Sequence, residues 1–322
     1  MTFSTISGTG GYLPERVMTN KEFEKIVDTS DEWIRERSGI KRRHIAAEGE
    51  TTSDMAVAAA RKAIAAAGVE TGDIDLIIVA TTTPDKVFPS TACIVQRRLD
   101  IHKIPAFDVH AACAGFIYAL DIANRFVKTG GANCALLIGA ETYSRILDWS
   151  DRSTCVLFGD GAGAVVLQAA DEPGIISTHI HADGQFEELL QVPAGISSGY
   201  DQIRQESAYI QMKGHEVFRK AVAVLGEIAR ETLRSNQIDK HYIAWLIPHQ
   251  ANLRIIAAAA RKLELPMERV VVTVDEHANT SSASIPLALD VAVRDGRVKR
   301  GELLLFEAFG AGFTWGSALL KY

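Results

Sequence analysis

Apolar residues follow two patterns along this chain, continuous runs and repeats at helical spacing. Segments with the two patterns alternate. Continuous apolar runs at 75–83 and 133–140 predict strands that are covered on both faces. Apolar residues repeated at helical spacing over 54–67 and 115–127 predict helices. Alternating strands and helices are typical of an α/β fold.

The same patterns predict the other elements of the first 170 residues. Ser30 or Asp31 is expected to cap a helix that starts within 29–34, because a side-chain oxygen there can accept from the first free amides. Gly68 is expected to end the helix over 54–67. We further expect strands at 2–7 and 104–109, a glycine-rich turn at 8–14, an exposed basic stretch at 39–44, a helix at 90–99, and two strands joined by a glycine-rich corner within 154–167.

The order of elements recurs from about residue 216. The predicted helices are 216–233, 251–263 and 283–294, and the predicted strands are 243–248, 270–274 and 302–306. The endings Phe158–Leu167 and Phe309–Ala318 are also similar. We infer an internal duplication with halves at 1–170 and 171–322. The polar stretch at about 171–215 is expected to be an insertion that covers a site.

Composition narrows the class of protein. With 322 residues and 47% hydrophobic residues, the chain can fill two domains or one large duplicated fold. Its net charge of −6, with both signs interspersed, does not suggest a nucleic-acid-binding protein. We see no secretory signal and no apolar run of the ~20 residues that a membrane span needs, so we expect a cytoplasmic protein without a membrane partner. The four scattered cysteines argue against a zinc site or disulfides, so no metal is expected.

Cys113 lies between the predicted strand at 104–109 and the predicted helix at 115–127, among alanines and a glycine. Small neighbours leave room for a substrate, and the positive end of the helix dipole favours a thiolate. This context predicts a nucleophile, although an inert buried cysteine is the alternative.

Aligning the two halves places Asn279 at the position equivalent to Cys113, and His249 at the end of the neighbouring strand. If the halves pack about a pseudo-twofold axis, the three residues meet near it, outside the carboxyl ends of the strands. Alternatively, His249 is a core histidine whose hydrogen bonds are satisfied, and Asn279 only stabilises a turn. A hydrolase with a Cys–His ion pair also remains open on residue types alone.

Several motifs resemble those of the β-ketoacyl-acyl carrier protein synthase III family, which are thiolase-fold condensing enzymes of bacterial fatty-acid synthesis. They are HAACAGF around Cys113, PHQAN around His249, HANTSSAS around Asn279, the early TSDEWIRERSGIKRRHIA and the closing FEAFGAGFTWGSALL. The resemblance covers essentially the whole chain. It implies two pseudo-symmetric strand–helix halves in a layered αβαβα arrangement. It also implies a decarboxylative condensation of an acyl-CoA with malonyl-acyl carrier protein through acyl-Cys113, without a cofactor.

The resemblance also implies roles for individual residues. The amides of Cys113 and Ala311 would form an oxyanion hole, although the family usually has glycine at the second position. His249 and Asn279 would donate hydrogen bonds to the malonyl thioester oxygen. For coenzyme A, Trp33 and Arg152 would sandwich the adenine, Arg37 would lie near the phosphates, and Gly214 and Asn252 would line the pantetheine channel.

The remaining implied roles concern the acyl pocket and the partners. Phe309 would pack near the sulfur, and Phe88 would bound the acyl pocket of the partner in a homodimer. A basic face for an acidic carrier protein would comprise Arg254, Arg219, Arg261 and Lys262; alternatively, Arg261 and Lys262 are only an exposed helix end. Two other functions stay open: a related condensing acyltransferase of secondary metabolism that uses another acyl-CoA or acceptor, and a scaffold protein without turnover.

Overall fold

The computed structural model describes residues 2–205 and 208–322. Its strands are β1 (Phe3–Tyr12), β2 (Arg16–Thr19), β3 (Arg42–Ile45), β4 (Leu76–Ala80), β5 (Ala106–Val109), β6 (Cys134–Glu141), β7 (Gly161–Ala170), β8 (Ile175–Ala182), β9 (Leu190–Gln191), β10 (Gln211–Met212), β11 (Trp245–Pro248), β12 (Leu303–Gly310) and β13 (Thr314–Lys321). Its helices are α1 (Asn20–Phe23), α2 (Asp31–Ser38), α3 (Thr52–Ala67), α4 (Thr91–Arg98), α5 (Gly115–Lys128), α6 (Arg152–Cys155), α7 (Tyr200–Gln205), α8 (Gly214–Ser235), α9 (Leu253–Lys262), α10 (Val274–His277) and α11 (Ser284–Arg294).

The two main sheets repeat one topology. The first has the order β1-β7-β6-β4-β5 and the second has the order β8-β13-β12-β11. In each sheet the first three strands are antiparallel to their neighbours and the next pair is parallel. An isolated parallel bridge from Leu246 to Val270 stands where β5 pairs with β4 in the first sheet. The internal repeat inferred from the sequence is therefore present in the strand order.

Helices and sheets stack in five layers. Helices α3 and α4 cover the outer face of the first sheet, and α5 and α11 lie between the two sheets. Helices α8 and α9 cover the outer face of the second sheet. This is the predicted αβαβα arrangement. Two predicted caps are also present: Ser30 accepts from the amide of Trp33, and Gly68 ends α3 in the left-handed conformation.

The predicted glycine-rich turn at 8–14 is wrong, because β1 continues through Tyr12 along β7. A Cβ at Gly8 or Gly10 would strike the carbonyl oxygens of Ala63 and Ala59 in α3. The glycines of this strand therefore allow close approach of a helix and do not form a turn.

The predicted exposed stretch at 39–44 contains two fully buried residues, Ile40 and Arg43. Arg43, in β3, donates to the carbonyl of Val156 at 2.7 Å and to Oδ1 of Asn20 at 2.8 Å. Burial lowers its pKa to about 10. The prediction of exposure is wrong for Arg43, because acceptors distant in sequence take the hydrogen bonds of its two terminal nitrogens, although its Nε has no partner among the described residues.

Two predicted strands are replaced by other structure. Residues 152–155 form helix α6, which Asp151 caps by accepting from the amide of Ser153 at 2.9 Å. In the 270–274 segment only Val270 pairs with a strand. The Gln250 side chain accepts the amides of Thr273 and Val274 at 2.8 and 3.1 Å, so these groups are not available to a strand ladder.

The predicted insertion at 171–215 begins later than expected. Its first part is β8, which pairs with β13 in the second sheet. The part after Ala182 contributes Leu190, Val192 and Ile210 to the wall of a large cavity. Within the described ranges, no helix is both long and apolar enough to cross a bilayer.

Candidate active site

A cavity of about 980 Å³ lies between the two halves. This volume is at the upper end of what small-molecule sites occupy. Of the residues predicted to form the site, Cys113, His249, Asn279, Phe309, Ala311, Gly214 and Asn252 line it. The repeat thus brings the three candidate catalytic side chains to one cavity.

Cys113 lies in a single 3₁₀ turn, Ala112–Ala114, that leads from β5 directly into α5. Its relative exposure is 5%. Across from it, a Cβ at Gly310 would lie 2.7 Å from the amide nitrogen of Cys113. The end of β12 can approach this amide only because residue 310 is glycine, and this approach brings Ala311 to the same wall of the cavity.

Burial raises the pKa of the Cys113 thiol to about 12. The nearby Glu141 adds to this increase, and the hydroxyl of Ser281 opposes it through a hydrogen bond. Burial therefore outweighs the helix dipole, which was predicted to favour a thiolate. At pH 7 the Cys113 side chain is therefore a thiol.

His249 follows β11 and is also buried. Its amide donates to the carbonyl of Glu307 at 2.8 Å, and its Nδ1 lies 2.7 Å from Oγ of Ser284. Burial lowers the pKa of His249 to about 3, so its ring is neutral at pH 7. A neutral imidazole beside a protonated thiol is the opposite of the ion pair that a cysteine hydrolase requires.

Two backbone hydrogen bonds join Asn279 to the 157–159 segment. Its amide donates to the carbonyl of Leu157 at 3.0 Å, and its carbonyl accepts from the amide of Gly159 at 3.0 Å. Its side-chain Oδ1 accepts from the amide of Ser281 at 2.8 Å. Because the oxygen is engaged, the NH₂ group of Asn279 is the side that can donate into the cavity.

Glu141 is a buried residue that the sequence analysis missed. Its carboxylate accepts hydrogen bonds from the amide and hydroxyl of Thr82, each at 3.0 Å, and from the hydroxyls of Thr83, Ser281 and Ser282 at 2.8, 3.1 and 2.9 Å. Burial raises its pKa, and these donors oppose that effect. Glu141 thereby joins the first half to the turn that follows Asn279. The sequence could have pointed to Glu141, because it is a charged residue at the end of an otherwise apolar strand.

The residues predicted to bind the adenosine part of coenzyme A lie outside the cavity lining. The guanidinium carbon of Arg152 is 4.8 Å from the ring centroid of Trp33, and that of Arg37 is 5.9 Å away. Arg152 also donates to the carbonyl of Asp28 at 2.6 Å. Since Arg152 already lies over Trp33, a base could enter between them only if the guanidinium moved.

The two predicted pocket phenylalanines have different surroundings. Phe309 is buried, with its ring centroid 4.5 Å from that of Phe313. Phe88 is 82% exposed and does not line the cavity of its own chain. Instead, Tyr143 and Phe158, whose ring centroids are 5.0 Å apart, form an aromatic wall that the sequence analysis did not identify.

The predicted basic residues are exposed on helices α8 and α9, which pack against each other. Arg254 lies over the ring of Phe218 at 5.4 Å, and Phe218 lines the cavity. Arg254 therefore adjoins a cavity wall through Phe218. The other three are Arg219, Arg261 and Lys262. Among the described residues, no cluster of three or more His, Cys, Asp or Glu side chains could hold a metal ion.

Comparisons with known proteins identify the family of this chain. Residues 107–184 match the family model of 3-oxoacyl-[acyl-carrier-protein (ACP)] synthase III, and residues 233–322 match that of its C-terminal part. The chain is 66% identical over 322 residues to β-ketoacyl-[acyl-carrier-protein] synthase III of Thioalkalivibrio sulfidiphilus, with 100% of both chains covered.

Solved structures show the same fold. The 3-oxoacyl-[acyl-carrier-protein] synthase III of Aquifex aeolicus superimposes with a TM-score of 0.94 at 51% identity, covering 99% of this chain and 100% of that one. The priming β-ketosynthase of a polyketide biosynthetic pathway has a TM-score of 0.94 at 39% identity, covering 99% and 96%. The chain therefore belongs to the β-ketoacyl-[acyl-carrier-protein] synthase III family, whose members are condensing enzymes with a thiolase-like fold.

Proposed function

We propose that this enzyme condenses an acyl-CoA primer with malonyl-acyl carrier protein, and so makes the first 3-ketoacyl-acyl carrier protein of fatty-acid synthesis. The observation that carries the proposal is that Cys113, a neutral His249 and an Asn279 whose Oδ1 is held by the amide of Ser281 line one cavity. Such a site offers one nucleophile and two neutral hydrogen-bond donors.

In the first half-reaction, Sγ of Cys113 attacks the thioester carbonyl of the acyl-CoA. The thiol proton leaves Cys113 and ends on the departing coenzyme A thiol, so the step creates no net charge. The amides of Cys113 and Ala311 stabilise the tetrahedral oxyanion. The methyl group of Ala311 narrows this wall without removing its N–H.

In the second half-reaction, malonyl-acyl carrier protein loses CO₂, and the electrons of the broken C–C bond move toward its thioester oxygen. His249 and Asn279 donate hydrogen bonds to that oxygen as it becomes enolate-like. The carbanion then attacks the carbonyl carbon of the acyl-Cys113 thioester, the C–S bond breaks, and the Cys113 thiolate leaves and takes up one proton from solvent as the 3-ketoacyl product is released. Phe309, packed on Phe313, helps to keep water away from the intermediate.

The partners are proposed from the same residues. Gly214 and Asn252 line the pantetheine channel, and Trp33, Arg37 and Arg152 hold the nucleotide at its mouth. The carrier protein docks on Arg254, Arg219, Arg261 and Lys262. The exposed Phe88 closes the acyl pocket of a second copy in a homodimer. We place the enzyme in the cytoplasm, divide it into halves 1–170 and 171–322, and assign it no resident cofactor.

A condensation in secondary metabolism is the second candidate, because the similarity to a polyketide priming β-ketosynthase spans nearly the whole chain. Incubation with radiolabelled acetyl-CoA or octanoyl-CoA, with and without malonyl-acyl carrier protein, distinguishes the two. Fatty-acid initiation predicts acetyl label on Cys113 that passes to 3-ketoacyl product. Label from octanoyl-CoA alone favours the second candidate, and no label from either acyl-CoA contradicts the acyl-cysteine intermediate.

A further inference from the structure

The ring of His249 contacts the hydroxyl group of Ser284, a residue that is not among those that line the cavity. Ser284 begins α11 and is the last residue of the HANTSSAS motif. Its Oγ lies 2.7 Å from Nδ1 of His249 and accepts the amide of Gln250 at 3.3 Å. The relative exposure of Ser284 is 1%. No role in the condensation described above uses this residue.

The direction of the contact between Ser284 and His249 follows from counting protons. A serine hydroxyl has one proton to donate, and its oxygen can accept two hydrogen bonds. The amide of Gln250 is a donor, so it occupies an acceptor position on Oγ. Within residues 2–205 and 208–322, Nδ1 of His249 is the group in contact with Oγ that can accept the hydroxyl proton. If Nδ1 were the donor, a buried hydroxyl would lose its acceptor.

The protonation state of the His249 ring shows which of its nitrogens carries the proton. Burial lowers the pKa of His249 to about 3, so the ring carries one proton at pH 7. If Nδ1 accepts from Ser284, that proton is on Nε2. His249 lines the cavity, and its Nδ1 edge is occupied by Ser284.

We propose that Ser284 fixes His249 in the Nε2–H tautomer and so makes it a hydrogen-bond donor toward the substrate. Ser284 is a positioning residue, since it acts through His249. The consequence for catalysis rests on the proposed condensation. With the proton on Nε2, His249 and the NH₂ group of Asn279 present two donors to the developing enolate oxygen. With the proton on Nδ1, a lone pair would face that oxygen and oppose the charge.

The tautomer can be measured without any turnover. The experiment records ¹⁵N spectra of the full-length enzyme labelled at its nine histidines, at pH 7, with His249 identified by its absence in His249→Gln. We expect an unprotonated Nδ1 and a protonated Nε2. A protonated Nδ1, or an imidazolium, overturns the proposal.

Variants then connect the tautomer to the reaction. We expect Ser284→Ala to mix the tautomers and to slow condensation with malonyl-acyl carrier protein by about 10- to 100-fold, as is common when a supporting partner of a histidine is removed. Acylation of Cys113 should be unchanged, and Ser284→Thr, which keeps the hydroxyl, should restore condensation. Ser282→Ala is the matched control, because the hydroxyl oxygen of Ser282 lies 2.8 Å from the carbonyl oxygen of Ala80 and 2.9 Å from Oε1 of Glu141, so its one proton goes to these acceptors rather than to His249.

Each outcome decides a different question. Unchanged condensation in Ser284→Ala, or an equal loss of acylation, contradicts the role of Ser284. If Ser284→Ala does not fold, the spectrum of the unmodified enzyme decides the tautomer. If the unmodified enzyme makes no 3-ketoacyl product, the proposed function fails while the tautomer assignment stands or falls on the spectrum.

Discussion

Gly310 and Cys113 approach so closely that a Cβ on residue 310 would lie 2.7 Å from the amide nitrogen of Cys113 and 3.1 Å from that of Ala114. Both atoms belong to the backbone of the 3₁₀ turn that precedes α5, so a side chain at 310 cannot be accommodated by a rotamer change. The contact joins the end of β12 to the nucleophile turn and sets the spacing of the two proposed oxyanion donors.

Replacement of this glycine should therefore damage acylation. We expect Gly310→Ala to lower the acylation rate of Cys113 by about 10²- to 10³-fold, the loss typical of one oxyanion donor. The rate is measured by rapid-quench labelling with acyl-CoA. Gly72→Ala is the control, since a Cβ there meets no atom within 4 Å. A folded Gly310→Ala with normal acylation would refute this role of the contact.

The buried thiol predicts an alkaline dependence of Cys113 reactivity. Because its pKa is raised to about 12, the thiolate fraction should grow about tenfold for each pH unit between 7 and 10. We expect the rate of iodoacetamide alkylation at Cys113 to rise in the same way, as measured by peptide mass spectrometry. Cys93, which is half-buried, serves as a reference in the same sample. A plateau below pH 8 would mean that the helix terminus outweighs burial.

The two proposed donors can be separated from the nucleophile kinetically. His249→Ala and Asn279→Ala should leave acylation of Cys113 intact and should each slow decarboxylation by about 10²-fold or more, because each removes one donor to the enolate oxygen. Release of CO₂ from labelled malonyl-acyl carrier protein measures this step. Cys113→Ala should abolish acyl transfer. Should either donor variant block acylation first, the division of roles is wrong.

Sequence reasoning was most successful for candidate residues that lie at the end of a regular element and line the cavity. Cys113 and His249 follow apolar strands, and the repeat located Asn279, so period and spacing alone brought them to one site. Ser284 and Glu141 were missed because their partners lie 35 and about 140 residues away. Arg43 and the 270–274 segment were mispredicted for the same reason, since side chains and carbonyls distant in sequence take up their hydrogen bonds.

Arg254 provides a test of carrier-protein docking. It is exposed beside Phe218, at a wall of the cavity. We expect Arg254→Glu to raise KM for malonyl-acyl carrier protein by about tenfold or more, with little change in KM for acyl-CoA, because charge reversal repels an acidic partner. The effect should shrink at high salt. Lys128→Glu, a reversal at the exposed end of α5, is the control. Equal changes in both KM values would exclude Arg254 from a specific docking role.

Glu307 predicts a pH dependence of stability that is separate from catalysis. It is fully buried in β12, and neither carboxyl oxygen has a hydrogen-bond partner in the described part of the chain. Burial raises its pKa to about 8, from an ordinary value of 4.5. Between these two values the folded state retains a proton that the unfolded state has lost. The free energy of unfolding should therefore fall by up to about 1.4 kcal/mol per pH unit in this window.

The variant Glu307→Gln removes this titration while it preserves the shape of the side chain. We expect urea unfolding at pH 5 to 9 to give a curve for the variant that lacks this decline, so that its stability relative to the unmodified enzyme increases with pH and levels off above pH 8. The difference should be small near pH 4.5, where the carboxyl group is largely protonated in the folded state and half-protonated in the unfolded state. Parallel pH profiles would show that Glu307 titrates alike in both states, and a difference that grows toward acid would mean that its folded pKa is lowered.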